Sequence, residues 1–439
     1  MMISEPTIIQ TDLDNLFDYS LQLNRWFLKP IGAWPASLST SKIERIVSLI
    51  LIVICYCSIL ATVIPCILYV ILDDDAIQTK LMVIGPLSHW FVGGINYTTL
   101  LLRSKEIQCC VKDMQNDWRT VRRLKDLQVM IKNAKFGRYV VICCAAFMQG
   151  GVLCYCVITG ITTEIIEVGN ETRTIHLLPC AAYTKLLPVD TSPTNEIMLI
   201  VQCISGFIVN SSAVGAFSLA IVFATHAYGQ LNVLMMWITE LVKPSRKHPQ
   251  NAYLNEIGVI VENHLKALSF VSHIEDMMNE ICFWELFKCT FNICMLGYYV
   301  LMHWANRDFQ NMTTCVIILC SMAFNIFLVC YIGEKLSEQC KKVGEAVYMT
   351  EWYYLPDKYI LDLLLIISRS SVAIKMTAGK FVQMSLITFS SVRLYNFVNH
   401  PKPMNNVKFT TFFTILGDKN RLCLPQCIAS NNMTGTILR

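Results

Sequence analysis

Apolar residues in this chain fall into long blocks separated by charged segments. Six blocks contain no Asp, Glu, Lys or Arg and are long enough, or nearly so, to cross a bilayer: Ile46 to Leu72, Leu81 to Leu102, Tyr139 to Thr163, Ile197 to Thr225, Cys289 to Asn306 and Phe309 to Gly333. A helix needs about 20 apolar residues to cover roughly 30 Å of hydrocarbon. The fifth block is short, and Tyr298, Tyr299 and Trp304 are placed to anchor it at an interface while Lys288 and Arg307 snorkel. A seventh candidate runs from Met376 to Val392 and contains Lys380.

Between the blocks the period changes. From Tyr253 to Phe283 the residues Ile257, Val261, Leu265, Leu268, Val271, Ile274, Met278 and Ile281 recur every three or four positions, which predicts an amphipathic helix. About 30 residues of helix reach roughly 45 Å. The fourth and fifth spans are therefore expected to project as long helices into the cytoplasm, with apolar stripes buried against other helices or a neighbouring subunit. Tyr359 to Ser368 is too short to span and reads as a helix preceding the seventh span. Asn15 to Pro35 mixes apolar and polar residues, and reads equally as a helix lying in the membrane interface or as a partly ordered tail.

Composition fits this pattern. The 439 residues are 54% hydrophobic and 15% charged, against about 25% charged in soluble domains, and the mean hydropathy is +0.46. The chain reads as an all-α polytopic membrane protein. Its net charge of +4 is small, and no Lys/Arg run of the nucleic-acid-binding type occurs, so nucleic acid is not an expected partner. Residues Met1 to Arg45 lack the apolar core and cleavage site of a removable signal peptide. Of the 20 cysteines, 13 lie inside the apolar blocks, where the thiol acts as a small hydrophobe. Cys180 stands alone in its loop, within reach of a bridge to Cys154 or Cys156.

The distribution of Lys and Arg orients the bundle. With a cytoplasmic N-terminus, the inner segments carry 4, 10, 5 and 6 such residues and the outer loops 1, 2 and 1 before the tail. The positive-inside rule therefore favours seven spans with the N-terminus cytoplasmic and the C-terminus extracellular. Asn170 and Asn311 head N-x-[ST] sequons in loops this orientation places outside, which makes them the expected glycosylation sites. Asn96 and Asn210 head sequons inside spans and are expected to stay unmodified. A metabotropic seven-span receptor has the reverse orientation, and the chain has no Asn-Pro pair and no Asp-Arg-Tyr at the third span.

Catalytic signatures are missing: no HExxH, paired CxxC, GxSxG or complete phosphate loop occurs. Ala378-Gly379-Lys380-Phe381 lacks the first glycine and the Ser/Thr of a Walker sequence. His264 and His273 lack metal-ligand spacing and read as surface or interface residues. The six blocks contain no acid, which disfavours an ion-coupled transporter. Neither an enzyme nor a cofactor is expected.

The chain resembles the insect odorant receptors, most closely those of bees, ants and wasps. The resemblance rests on Cys330-Tyr331-Ile332-Gly333-Glu334 with Leu336 and Ser337, then Ala346, Tyr348, Trp352-Tyr353 and Pro356. It continues through Thr377-Ala378-Gly379-Lys380-Phe381, Met384-Ser385-Leu386 and Thr388-Phe389, and the opening Asn24-Arg25-Trp26-Phe27-Leu28-Lys29-Pro30-Ile31-Gly32 also matches. The family implies a subunit of an odorant-gated, non-selective cation channel in the plasma membrane of a sensory neuron dendrite. It also implies assembly with the odorant receptor co-receptor into a heterotetramer, with odorant bound among the outer halves of spans two, three, four and six.

Carried onto this sequence, the resemblance implies a pocket at Trp90, Phe91, Tyr155, Ser205, Phe207 and Thr314, suited to small apolar odorants. It also implies a pore lined from the seventh span by Lys380, Gln383, Met384, Leu386 and Ile387. The expected organisation is a cytoplasmic segment (1–45), six spans with their loops (46–333), a cytoplasmic loop and short helix (334–375), a truncated seventh span (376–392) and an atypical tail (393–439).

The tail departs from the family. Phe381 to Val392 gives 12 uncharged residues, about 18 Å of helix, before Arg393 and His400-Pro401-Lys402-Pro403. A helix continued through Leu394, Tyr395, Phe397 and Val398 carries Arg393 within the outer leaflet, at a cost of a few kcal/mol unless it faces water. The alternative reading is therefore a non-conducting variant, or a mis-spliced product, that keeps the receptor scaffold.

Overall fold

The computed structural model describes residues 10–36, 40–168, 171–242, 250–305, 307–355, 357–372 and 374–390, and most of these are helical. Each of the six apolar blocks falls mainly within its own helix: α2 (Lys42–Leu72), α3 (Ile77–Leu102), α5 (Leu124–Ile161), α6 (Thr194–Leu241), α7 (Gln250–Ala305) and α8 (Phe309–Tyr348). α1 (Gln10–Leu28), α4 (Ser104–Thr120) and α9 (Asp357–Ser371) complete the helical set. Four of these, α2, α5, α6 and α8, are long and apolar enough to cross a membrane. The blocks in α3 and α7 are helical but more polar.

α6 forms the centre of the bundle. Its most apolar window is 83% buried, against 22% for that of α2. The difference follows from side-chain size: Ser211, Ser212, Ala213, Gly215, Ala216, Ser218 and Ala220 let neighbouring helices approach closely. α2 instead exposes Ile46, Leu49, Ile50, Val53 and Ile54 on one side, the outward apolar surface a bilayer requires. A capping box starts α2, with the Glu44 N–H donating to Ser41 Oγ (3.2 Å) and the Ser41 N–H to the Glu44 carboxylate (3.3 Å).

The N-terminal segment is neither an interfacial helix nor a loose tail. Phe17, Leu21 and Leu28 of α1 are buried in the main core, and Asn24 Nδ2 donates to Ser218 Oγ of α6 (3.1 Å). Leu28 fills the space that a side chain at Gly215 would occupy. The stripe that looked suited to lipid is satisfied by protein, and the Tyr97 hydroxyl donates to the Ile31 carbonyl (2.6 Å) just beyond the helix.

The amphipathic segment before the fifth block is continuous with it, so α7 runs unbroken for 56 residues, about 84 Å. Ile257, Leu268, Val271, Ile274, Met278 and Ile281 are buried as the period predicts, whereas Leu265 is exposed. α9 contains the expected Tyr359 to Ser368 helix and buries Tyr359, Leu363 and Ile366. An element outside the sequence expectations is an antiparallel hairpin of β1 (Thr163–Val168) and β2 (Glu171–His176) between α5 and α6. Gly169-Asn170 between two β-rich runs was the available signal. Asn170 itself lies outside the described residues.

His264, read from sequence as a surface or interface residue, is 2% exposed; His273 is exposed. Burial, reinforced by the Arg369 charge, brings the His264 imidazole down to about 4. The unfolded chain binds this proton below about pH 6.5 and the folded chain only below about 4, so stability falls as pH drops through that window and levels off beneath it. The expected loss is about 1–2 kcal/mol after allowing for solvent screening. Melting temperature of the purified protein between pH 7 and 4.5 measures it, and His264→Asn should flatten the profile.

Cys180 forms no bridge to Cys154 or Cys156; all three are free thiols. The Gln202 side chain holds the Cys180 backbone from both sides (2.9 Å each), and its thiol contacts Cys66 of α2.

Candidate functional site

A cavity of about 290 Å³ opens between the start of α3, the end of α5, the end of α7 and the start of α8. Most of its wall is apolar or aromatic, with Met82, Met148, Ile158, Met295, Leu296 and Ile318 among the contributors. Three of the six residues expected to line a pocket do so: Trp90, Tyr155 and Thr314. Trp90 is fixed by its indole N–H, which donates to Ser205 Oγ (2.8 Å). Tyr155 is fixed by its hydroxyl, which donates to the Pro179 carbonyl (2.9 Å), tying the α5–α6 connection to the cavity wall.

The other three do not line it. Ser205 is fully buried behind Trp90 and lies 2.8 Å from the Thr62 hydroxyl, so it positions the wall rather than forming it. Phe91 is 51% exposed and Phe207 36% exposed, both on the outer surface of the bundle. A step of one residue along a helix turns the side chain by about 100°, so the neighbours of a wall residue face elsewhere.

Polar wall residues outside the sequence expectation include His89, Asn210, Lys288, Asn292 and Asn325. Lys288 does not snorkel to an interface. Its side chain is 5% exposed, and its ammonium donates to Glu285 Oε1 (2.7 Å), which also accepts from Asn96 Nδ2 (2.6 Å). The i, i+3 spacing of Glu285 and Lys288 was the available signal, since it presents opposite charges on one helix face.

Asn311 sits at the cavity rim and in the cap of α8, where its backbone N–H and side-chain amide both donate to Asp308 (3.3 and 2.6 Å). Asn96 and Asn210 are buried, at 2% and 4% exposure.

The seventh candidate span does not begin at Met376. Thr377–Ala378 (β3) and Val382–Gln383 (β4) pair antiparallel around a turn, and helix starts only at 386–390. Gly379 and Lys380 both have positive φ, 60° and 62°, as a primed hairpin turn requires. The hairpin is clamped between two helices. On α7, the Gly379 N–H donates to the Asn279 carbonyl (2.8 Å) and Thr377 Oγ1 bonds Glu275. On α8, Glu334 accepts from the Leu386 N–H (2.7 Å), and a side chain at Gly333 would press on the Met384 carbonyl.

Of the residues expected to line a pore, Lys380 occupies the exposed turn and pairs with Asp276 (3.3 Å), and Gln383 is exposed on β4. Met384 is buried against α8, while Leu386 and Ile387 start the helix, Ile387 being 68% exposed. Everything from 391 onward, including Val392, Arg393 and the atypical tail, lies outside the described residues.

The motif residues of α8 and of the 377–386 segment thus meet in one joint. The family model described as 7tm Odorant receptor matches residues 76–394. This chain belongs to the odorant receptor family. Odorant receptor 67c of Drosophila melanogaster is 25% identical over 150 residues, 33% of this chain and 36% of that protein. Odorant receptor 13a of the same fly is 24% identical over 182 residues, 39% and 43% of the two chains. The matched regions span less than half the length of these curated relatives.

Among solved structures, the insect olfactory receptor OR5 from Machilis hrabei superposes with a TM-score of 0.69 at 18% identity, covering 87% of this chain and 97% of that one. The same receptor in complex with eugenol superposes at 0.70 and 15% identity, covering 93% and 100%. At these identities the likeness establishes the odorant receptor fold.

Proposed function

We propose that this chain is the odorant-binding subunit of a ligand-gated, non-selective cation channel, assembled with the odorant receptor co-receptor into a heterotetramer in the plasma membrane. In this reading seven spans cross the bilayer with the N-terminus inside. The observation that carries it is the mostly apolar cavity of about 290 Å³ walled by Trp90, Tyr155 and Thr314, close to the lower end of the range for small-molecule sites. In the orientation drawn from Lys and Arg bias it lies in the outer half of the bundle. Assembly is supported by exposed apolar residues on the helices opposite that end, Leu361, Leu364 and Leu365 on α9 with Val259 and Leu265 on α7, which need a covering surface. The odorant receptor family is one of receptors, and no enzymatic role is proposed.

The test is odorant-evoked current in cells co-expressing the co-receptor. Trp90→Ala and Tyr155→Ala should each shift the half-maximal concentration about tenfold or more, the cost of losing an aromatic wall contact. Phe91→Ala and Phe207→Ala, outside the cavity, should stay within about twofold. Unchanged curves for the first pair at normal surface expression would overturn the assignment.

A second reading, the non-conducting or mis-spliced variant, is favoured by Arg393 and the polar residues that follow. Sequencing the transcript across the codon for Ser391 tests the splicing explanation, which a pool containing only this tail removes, and odorant-evoked current recorded with the co-receptor tests conduction.

A further inference from the structure

The geometry points to a neutral, oxygen-bearing amphiphile as the ligand, its oxygen held by Lys288 and His89 and its hydrocarbon body lying along the methionine-rich wall. This inference rests on the reading of the cavity as the ligand site, and narrows the chemistry that fits it.

Polar groups with unused hydrogen-bonding capacity line the cavity. An ammonium carries three donors; among the described residues Lys288 uses one, toward Glu285 Oε1. His89 lines the same cavity with both ring nitrogens buried and neither bonded to protein, and Asn325 Oδ1 is likewise without a partner. Buried polar groups are normally hydrogen-bonded, and one left unpaired costs its desolvation. These groups therefore reward a ligand that brings an oxygen to them. An ether, ketone or ester accepts from Lys288, and a hydroxyl also donates to His89 or Asn325.

A hydrocarbon leaves all of these groups unpaired, so its affinity should suffer as when a polar site meets an analogue lacking the polar group. A carboxylate faces the opposite difficulty. Glu285 already neutralises Lys288, so a second anion would enter a low-dielectric interior with no counter-charge. The class is thus bounded on both sides, by the orphaned donors and acceptors and by the completed ion pair.

The experiment measures binding of octanol, methyl hexyl ketone, octane and octanoate to the full chain in lipid nanodiscs, by ligand-induced shift of the melting curve. Octanol and the ketone should bind about tenfold or more tighter than octane and octanoate, the worth of one hydrogen bond to a charged group. In the charge-free double variant Glu285→Gln/Lys288→Met the preference of the ketone over octane should fall to about unity, because the ketone has only Lys288 to accept from, while octanoate stays excluded. His89→Leu, which leaves the ion pair intact, should reduce the preference for octanol and serves where the double variant does not fold.

Equal binding of octane and octanol by the unaltered chain, tighter binding of octanoate, a ketone preference over octane that survives the double variant, or an octanol preference over octane unchanged in His89→Leu would overturn the head-group assignment and leave the cavity reading standing. Binding of none of the four would overturn the cavity reading, and the ligand class with it.

Discussion

Asp117→Ala is expected to destabilise the folded chain by about 2–4 kcal/mol, whereas Lys266→Ala should cost about 1 kcal/mol or less. Asp117 lies on α4 and is 7% exposed. It accepts hydrogen bonds from Gln230 of α6 and Lys266 of α7 and lies 3.2 Å from His226 Nε2, also on α6, so one carboxylate joins three helices. Burial alone would raise its carboxyl, but the hydrogen bonds and charges of His226 and Lys266 outweigh it and hold the group below the usual carboxylate range. Its stabilising contribution is therefore complete above about pH 5 and is lost as pH falls through the ordinary carboxylate value toward the lowered one. Removing the carboxylate leaves His226, whose side chain is 1% exposed, without this partner; Lys266 is 47% exposed and can turn to solvent. Thermal unfolding of the two variants tests the asymmetry, and equal losses would show that Asp117 is not the hub.

Gly379→Ala should cost about 2–4 kcal/mol, with Lys380→Gly close to neutral or slightly stabilising. A side chain at φ near +60° pays about 1–2 kcal/mol for the left-handed backbone. The new Cβ would also stand 2.9 Å from Phe283 Cδ2, and overpacking of this kind adds about 1–3 kcal/mol. Lys380 already carries the left-handed cost, so glycine relieves it while giving up an exposed ion pair to Asp276 of little worth. Melting curves of both variants, with surface expression, read the two signs. A destabilised Lys380→Gly would mean the lysine does more at the turn than occupy it.

Much of this architecture is legible in the sequence because the two dominant signals are physical and local. Blocks of apolar residues have no soluble alternative to helices in a bilayer, and the three-to-four repeat from Ile257 to Ile281 admits few other structures. Lys288 pairs instead of snorkelling because a charge at the edge of an apolar block has two outcomes, and the choice depends on Asn96 arriving from α3 to hold Glu285, one turn before Lys288 on the same helix. The segment from Met376 read as a span because hydropathy averages over Gly379-Lys380, a pair whose backbone geometry stops a helix without lowering mean hydropathy much. Three of the six residues that the resemblance implies for a pocket line the cavity. The rest required the rotation of each helix about its own axis, which α3 and α6 fix only by packing, through contacts such as Val209 in the space left by Gly93.

The length of α7 has one further consequence. Its segment from Lys288 to His303 walls the cavity, and the segment from Glu275 to Phe283 grips the hairpin from which the last described helix starts. Asn279 and Cys289 are ten residues apart on one helix with no proline between them, about 15 Å along its axis. A ligand shifts an equilibrium only by its differential affinity for the two states. Within the receptor reading, a molecule that fills the cavity and leaves α7 where it stands is an antagonist however tightly it binds. One that displaces the helix moves the hairpin with it, so efficacy is set by the position of α7 and potency by the cavity wall.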